Sequence, residues 1–231
     1  MNEFKNGLKD GIPIALGYFA VSFSFGILAI KGGLSVFQAV LTSVTNVTSA
    51  GQFAGLQIII AGGTILEVIL TQLIINLRYG LMSLSLTQKL ADDVGIWKRL
   101  IIAFANTDEI FAVAMGYFKE VTFPYMLGLQ ILPILGWGGG TFAGAVASGL
   151  LPKSVCSALS LALYGMFVAI VVPVAKKSKS VLFVVCVAAL FSILLYYVPI
   201  FHLTGISIVI CTVAAAAIGA IVAPVKKKGE E

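Results

Sequence analysis

Several stretches of this chain, such as Ile12–Ile30, Ser154–Ala175 and Ser180–Val198, run for the length of a membrane-crossing helix without a charged residue. A hydrocarbon core of roughly 30 Å takes about 20 mostly apolar residues per helical span. Inside it every backbone N–H and C=O must find a partner within the protein, so spans are helices or closed barrels, and uninterrupted apolar runs of this length belong to helices. The chain is 59% hydrophobic and 11% charged, whereas soluble domains carry roughly 25% charged residues. It reads as an all-α polytopic membrane protein, a single integral membrane domain over residues 1–231. No small-residue cleavage site followed by polar sequence comes after the first run, so no cleaved leader is expected.

Eight apolar segments can be drawn: Ile12–Ile30, Phe37–Gly62, Ile65–Leu86, Leu100–Phe118, Tyr125–Leu150, Ser154–Ala175, Ser180–Val198 and Ile206–Val222. Pro124, Pro152 and Pro199 punctuate the connections, and the hydrophilic stretch Gln88–Arg99 reads as a loop. If every segment crosses and both termini are cytoplasmic, Lys31, Lys89, Lys98, Arg99 and Lys153 fall outside, against the excess of Lys and Arg in cytoplasmic loops. If Phe37–Gly62 and Leu100–Phe118 each return to their own side, only Lys31 and Lys153 do. The expected fold is a bundle of about 6–8 transmembrane segments, with Phe37–Gly62 and Leu100–Phe118 broken or re-entrant.

The polar content of those two segments points the same way. Phe37–Gly62 holds Asn46, Ser49, Gln52 and Gln57 around Gly51 and Gly55, and Leu100–Phe118 holds Asn106, Thr107, Asp108 and Glu109 at its centre. Irregular backbone at membrane depth is tolerated where protein or a water-filled cavity surrounds it, and paired interrupted segments are a sequence pointer to a transport site. Ionisable groups within a span cost about 2.5–3.5 kcal/mol each at a helix centre, which singles out Glu67, Arg78, Asp108 and Glu109. Glu67 lies near the start of its span and reads as interfacial. Arg78 either snorkels to the surface or has a buried role. Asp108 and Glu109 either cap a short helix with Asn106 and Thr107 or carry function. Gly136, Gly140 and Gly144, at four-residue spacing, predict close helix approach.

Several function classes are excluded. The net charge of +5 sits in clusters at the ends of apolar runs (Lys176, Lys177, Lys179; Lys226, Lys227, Lys228), where topology signals belong, so nucleic acid is not an expected partner. Cys156, Cys186 and Cys211 lie inside apolar runs as packing residues, at spacings that suit neither a disulfide framework nor a metal. The single histidine, His202, reads as a loop residue, and no metalloprotease, nucleophile-elbow or nucleotide-loop motif is present. The chain is not expected to be an enzyme or to hold a cofactor or metal.

Four elements, in order, resemble the AzlC family of branched-chain amino acid permeases. They are Asp10-Gly11-Ile12-Pro13 with Gly17 and Gly26, Ser49-Ala50-Gly51-Gln52-Phe53, Asn76-Leu77-Arg78-Tyr79, and Thr107-Asp108-Glu109. One departure is the polar Thr45-Asn46-Val47-Thr48 ahead of the Gly-Gln element. The resemblance implies export of leucine, isoleucine and valine, in some members also methionine, from a bacterial or archaeal plasma (inner) membrane. It also implies a second, small membrane subunit of the AzlD type. For such a zwitterion, backbone N–H groups at a break near Gly51–Gly55 would meet the carboxylate, and Gln52, Asn46 and Asn76 would supply neutral hydrogen bonds. Asp108 or Glu109 would meet the ammonium or carry a coupling proton, since burial and neighbouring charge decide when a carboxylate holds its proton. Gln52, Asn76, Arg78, Asp108 and Glu109 are the first candidates, with Ser49, Gly51, Asn46 and Asn106 behind them. A passive pore for a small solute and a structural membrane subunit are the alternatives. A pore would build its filter from rings of like residues, and a single chain of this sequence shows none.

Overall fold

The computed structural model describes residues 2–150, 178–197 and 205–222, with isolated positions between 154 and 176, and is all-α over them. The helices are α1 (Asn2–Lys31), α2 (Val36–Thr45), α3 (Ser49–Ile60), α4 (Ile65–Thr87), α5 (Ile96–Phe104), α6 (Asp108–Gly116), α7 (Phe123–Ala147), α8 (Lys179–Tyr196) and α9 (Gly205–Val222). Among them α1, α4, α7 and α8 are long and apolar enough to cross a membrane. The predicted span Ser154–Ala175, with Cys156, lies largely outside the described residues, as does His202. The chain divides into two compact units, residues 1–56 with 75–160 and residues 57–74 with 161–231.

The axis of the first unit is the pair α1 and α7. The predicted glycine ladder lies in their contact: a Cβ on Gly140 or Gly144 would collide with the backbone carbonyl of Phe19 or Phe23, so only glycine allows this approach. Gly7 meets Tyr125, Gly11 meets Leu129, Gly136 meets Ala15 and Gly144 meets Phe23. Residue numbers rise together along both helices, so α1 and α7 are parallel. α1 begins ten positions ahead of the predicted run at Ile12, because its charged first turns are tied to α7 and its approach: Tyr125 donates to Asp10 (2.9 Å) and Tyr117 to Glu3 (2.7 Å).

Both predicted interruptions are present, and both segments turn back. The first follows a Ser35–Gln38 capping box, which explains Gln38 as a helix start. α2 ends where Thr45, Val47 and Thr48 place β-branched residues around Asn46, a run with weak helix propensity. Thr48 then opens α3, its hydroxyl accepting from the Gly51 amide (3.1 Å). Gln52 Nε2 donates to Ser43 Oγ (2.5 Å) across the break, a contact that a segment running straight on would place out of reach. Phe53 packs edge-on against Phe25 of α1, ring centroids 5.3 Å apart, so α3 climbs back towards the end of α1 from which α2 descended.

The second hairpin enters from the opposite end. The connections before α5 and after α6 are joined: Ala91 N–H donates to the Val121 carbonyl (3.0 Å) and Val121 N–H to that of Lys89 (2.9 Å). Lys89 Nζ donates to the Met115 and Tyr117 carbonyls (both 2.5 Å), a cation placed on the negative end of α6. Lys98, in the first turn of α5, lies 5.7 Å from the centre of the Phe123 ring at the start of α7. α5 and α6 therefore begin and end together. The stretch Gln88–Arg99 is not wholly a loop as the sequence suggested, since Ile96–Arg99 form the first turn of α5, with Val94 and Ile102 buried against Met126 and Leu129.

In the second unit α8 packs on α9, with Gly219 against Val184. Glu67 accepts from the Thr64 amide (2.7 Å) while its own amide donates to Thr64 Oγ1 (3.3 Å). It is the reciprocal cap of the start of α4, in keeping with the interfacial reading.

Candidate functional site

The tips of the two hairpins converge on the middle of the α1–α7 pair, where Tyr18 and Trp137 meet edge to face with ring centroids 5.4 Å apart. The second tip is the more polar. Thr107 is the N-cap residue of α6 and Asp108 and Glu109 fill its first turn, where the positive end of a helix favours carboxylates. Asp108 and Glu109 sit at a helix start, as one of the two readings expected, and they also reach other elements. Asp108 Oδ2 pairs with Arg78 Nη1 of α4 at 2.8 Å. The Tyr18 hydroxyl is shared between Thr107 Oγ1 (2.5 Å) and Glu109 Oε2 (2.6 Å), which is why the Thr107 side chain does not cap its own helix.

Arg78 does not snorkel to an end of α4. It lies near the helix midpoint, ion-paired with Asp108, donating to Tyr79 (3.3 Å) and held over that ring at 5.0 Å. Asn106 is buried at the tip and donates through Nδ2 to Ser83 Oγ of α4 (3.1 Å). Gln130 of α7 donates to the Ile102 carbonyl (2.6 Å), one of the carbonyls that the end of α5 leaves without an intrahelical partner. Asn76 is half-buried on α4, two positions before Arg78.

At the first tip, Gln52 is 1% exposed and its amide is used twice: Nε2 donates to Ser43, and Oε1 accepts from Trp137 Nε1 (2.9 Å). Ser43 in turn shares a hydrogen bond with Thr141 of α7 (2.7 Å). Gln52 thus ties the hairpin to α7. Asn46 is the C-cap of α2 and Ser49 the first residue of α3. The helix break falls at residues 46–48, ahead of the expected Gly51–Gly55, which lie within α3; the Gly51 amide is already engaged by Thr48. The departure noted at Thr45–Thr48 is the break itself.

The structure thus gathers Arg78, Asn106, Asp108 and Glu109 around one tip, and places Asn46, Ser49, Gly51 and Gln52 at the other. The sequence reading missed the pair that joins them, Tyr18 and Trp137. Its signal was present: Tyr and Trp favour the membrane–water interfaces, so either ring in mid-span implies a partner for its polar atom. The arrangement sets one guanidinium and two carboxylates near the middle of α4 and of the α1–α7 pair, beside an aromatic contact. Such groups can receive an ammonium or move a proton, and they are among the most expensive to hold in a bilayer without a use.

Two hairpins that return to opposite ends between long apolar helices define a multi-pass membrane protein. The family model described as AzlC protein matches residues 13–151, and the chain belongs to the AzlC family. It is 33% identical over 172 residues to an uncharacterized membrane protein of Archaeoglobus fulgidus, covering 74% of this chain and 75% of that one. It is 29% identical over 211 residues to the inner membrane protein YgaZ of Escherichia coli, covering 88% and 86%. No solved structure matches the chain.

Proposed function

We propose that this chain is the large subunit of a proton-driven exporter of branched-chain amino acids, with leucine, isoleucine and valine as substrates and methionine as a further one. It works with a small membrane subunit of the AzlD type, and lies in the plasma (inner) membrane of a bacterium or archaeon with both termini cytoplasmic. The observation that carries this reading is the polar tip of the second hairpin, Arg78, Asp108 and Glu109 at mid-depth beneath Tyr18, in a chain of this family. The side chains of Arg78 and Asp108 are 47% and 46% exposed. Charges so exposed cannot face hydrocarbon, which supports a water path or a second subunit over them.

In this reading Asp108 is held by Arg78, and Glu109, whose Oε2 rests on Tyr18 while the side chain stays exposed, takes the coupling proton. The test is efflux of labelled leucine, isoleucine and valine from loaded cells carrying this chain with and without the small subunit. Saturable efflux that needs both chains is expected. Unchanged efflux of all three amino acids sinks the proposal, and non-saturable flux that never moves against a gradient turns it into a pore.

A further inference from the structure

We infer that Tyr18 is the positioning residue of the coupling carboxylate, and that its hydroxyl works with that of Thr107 as a reversible pair, holding Glu109 on α1 both before and after it takes its proton. The inference rests on the transport reading above, which gives the coupling proton to Glu109.

One oxygen makes two short contacts. The Tyr18 hydroxyl stands 2.5 Å from Thr107 Oγ1 and 2.6 Å from Glu109 Oε2, and each separation is that of a hydrogen bond with a hydrogen between the oxygens. A phenol has a single hydrogen to give, and an ionised carboxylate has none. With Glu109 ionised, the Tyr18 hydrogen therefore points to Oε2, at a separation within the range of about 2.5–2.7 Å for a hydroxyl on a carboxylate. The hydrogen between Tyr18 and Thr107 is then the one carried by Thr107. Thr107 is 5% exposed and its side chain does not cap its own helix, so its hydroxyl is committed to Tyr18.

When Glu109 takes a proton on Oε2, the order reverses. The carboxyl donates to Tyr18, the Tyr18 hydrogen swings to Thr107, and the Thr107 hydrogen turns away. Only hydroxyl torsions change: no O–H bond of Tyr18 or Thr107 breaks, and the three oxygens keep their places. The other charged or titratable groups facing this chain of oxygens are Arg78 and Tyr79 of α4 and Asp108 of α6. Trp137 of α7, against the Tyr18 ring, carries no charge. Arg78 is paired with Asp108, which leaves Tyr18 as the donor to Glu109 among the described residues.

The experiment measures leucine-coupled proton flux as a function of pH in proteoliposomes holding the full chain and its small subunit, for wild type, Tyr18→Phe, Thr107→Val and Thr107→Ser. A hydrogen bond donated to a carboxylate favours its charged form. Tyr18→Phe removes that donor while keeping the ring, and is expected to move the pH profile of coupled efflux up by roughly one unit. Thr107→Val leaves the protonated arrangement without an acceptor for the Tyr18 hydrogen, and is expected to move the profile down. Thr107→Ser keeps the hydroxyl and is expected to keep the wild-type profile. A general loss of folding lowers the rate without displacing the profile in opposite directions. A profile left in place by Tyr18→Phe overturns the positioning role. One left in place or moved up by Thr107→Val, or displaced as far by Thr107→Ser, overturns the reversible pair, and these two variants decide the matter if Tyr18→Phe does not fold. Each of these results leaves the transport reading standing. Wild-type leucine efflux that carries no protons overturns that reading and this inference together.

Discussion

Nη1 of Arg78 stands 2.8 Å from Oδ2 of Asp108, joining the middle of α4 to the first turn of α6. The pair fixes the position of the second hairpin tip along α4, because α4 runs on past the pair while α6 begins at it. Both side chains are nearly half exposed, so the cost of breaking the pair stays below the 3–5 kcal/mol typical of a fully buried one. Asp108→Asn and Arg78→Gln are each expected to lower stability by about 1–3 kcal/mol, and the double substitution by less than their sum. Thermal unfolding of the four proteins in detergent checks this, and additive losses contradict it.

Trp137 and Gln52 tie the first hairpin to α7 through one hydrogen bond of 2.9 Å between buried groups. Trp137→Phe keeps most of the ring but leaves the Gln52 oxygen without its donor, at a cost of about 1–3 kcal/mol. Adding Gln52→Leu removes the orphaned acceptor, though it also frees Ser43. The pair of substitutions is expected to be non-additive in the same unfolding measurement, and a Trp137→Phe protein as stable as the wild type contradicts the assignment.

Gly144→Ala should fail where Gly139→Ala succeeds. A methyl group at Gly144 meets the backbone of Phe23, whereas at Gly139 nothing lies within reach. Overpacking of a core costs about 1–3 kcal/mol, and backbone on both sides leaves little room to yield. The yield of monodisperse protein after extraction distinguishes the two, and equal yields contradict the close α1–α7 contact.

Side-specific labelling tests the returning hairpins. In a background without Cys156, Cys186 and Cys211, cysteines replacing Gln88 and Glu120 should react with an impermeant maleimide from the same side, and one replacing Leu34 from the other. Those two positions flank α5 and α6, so labelling from opposite sides shows that the segment crosses.

Much of this was legible in the chain. Charge asymmetry and the polar centres of Phe37–Gly62 and Leu100–Phe118 pointed to both broken segments, and the four-residue glycine spacing pointed to a close helix contact without naming α1 as its partner, because each is a local pattern. The end of Gln88–Arg99 was misread since Lys98 and Arg99 look like loop residues until Lys98 is seen over Phe123 and Arg99 bound to Val94. Tyr18 and Trp137 were missed for a different reason. An aromatic residue in an apolar run shows its hydrophobicity in the sequence, but its partner lies 85 to 91 positions away and appears only when the helices are brought together. Gln52, conversely, was chosen for its polarity, and its bonds to Ser43 and Trp137 give that polarity a place in the fold as well.

The most direct test of the account is leucine-coupled proton flux in proteoliposomes holding the full chain and its small subunit, compared for wild type, Glu109→Gln and Asp108→Asn. The account predicts that wild-type leucine efflux carries protons and stops with an uncoupler. Glu109→Gln should keep leucine exchange down its gradient but lose about tenfold or more of its proton-driven efflux. Full proton-coupled, pH-dependent transport by Glu109→Gln contradicts the role given to that carboxylate, and the same result in Asp108→Asn as well removes the hairpin tip from the coupling mechanism.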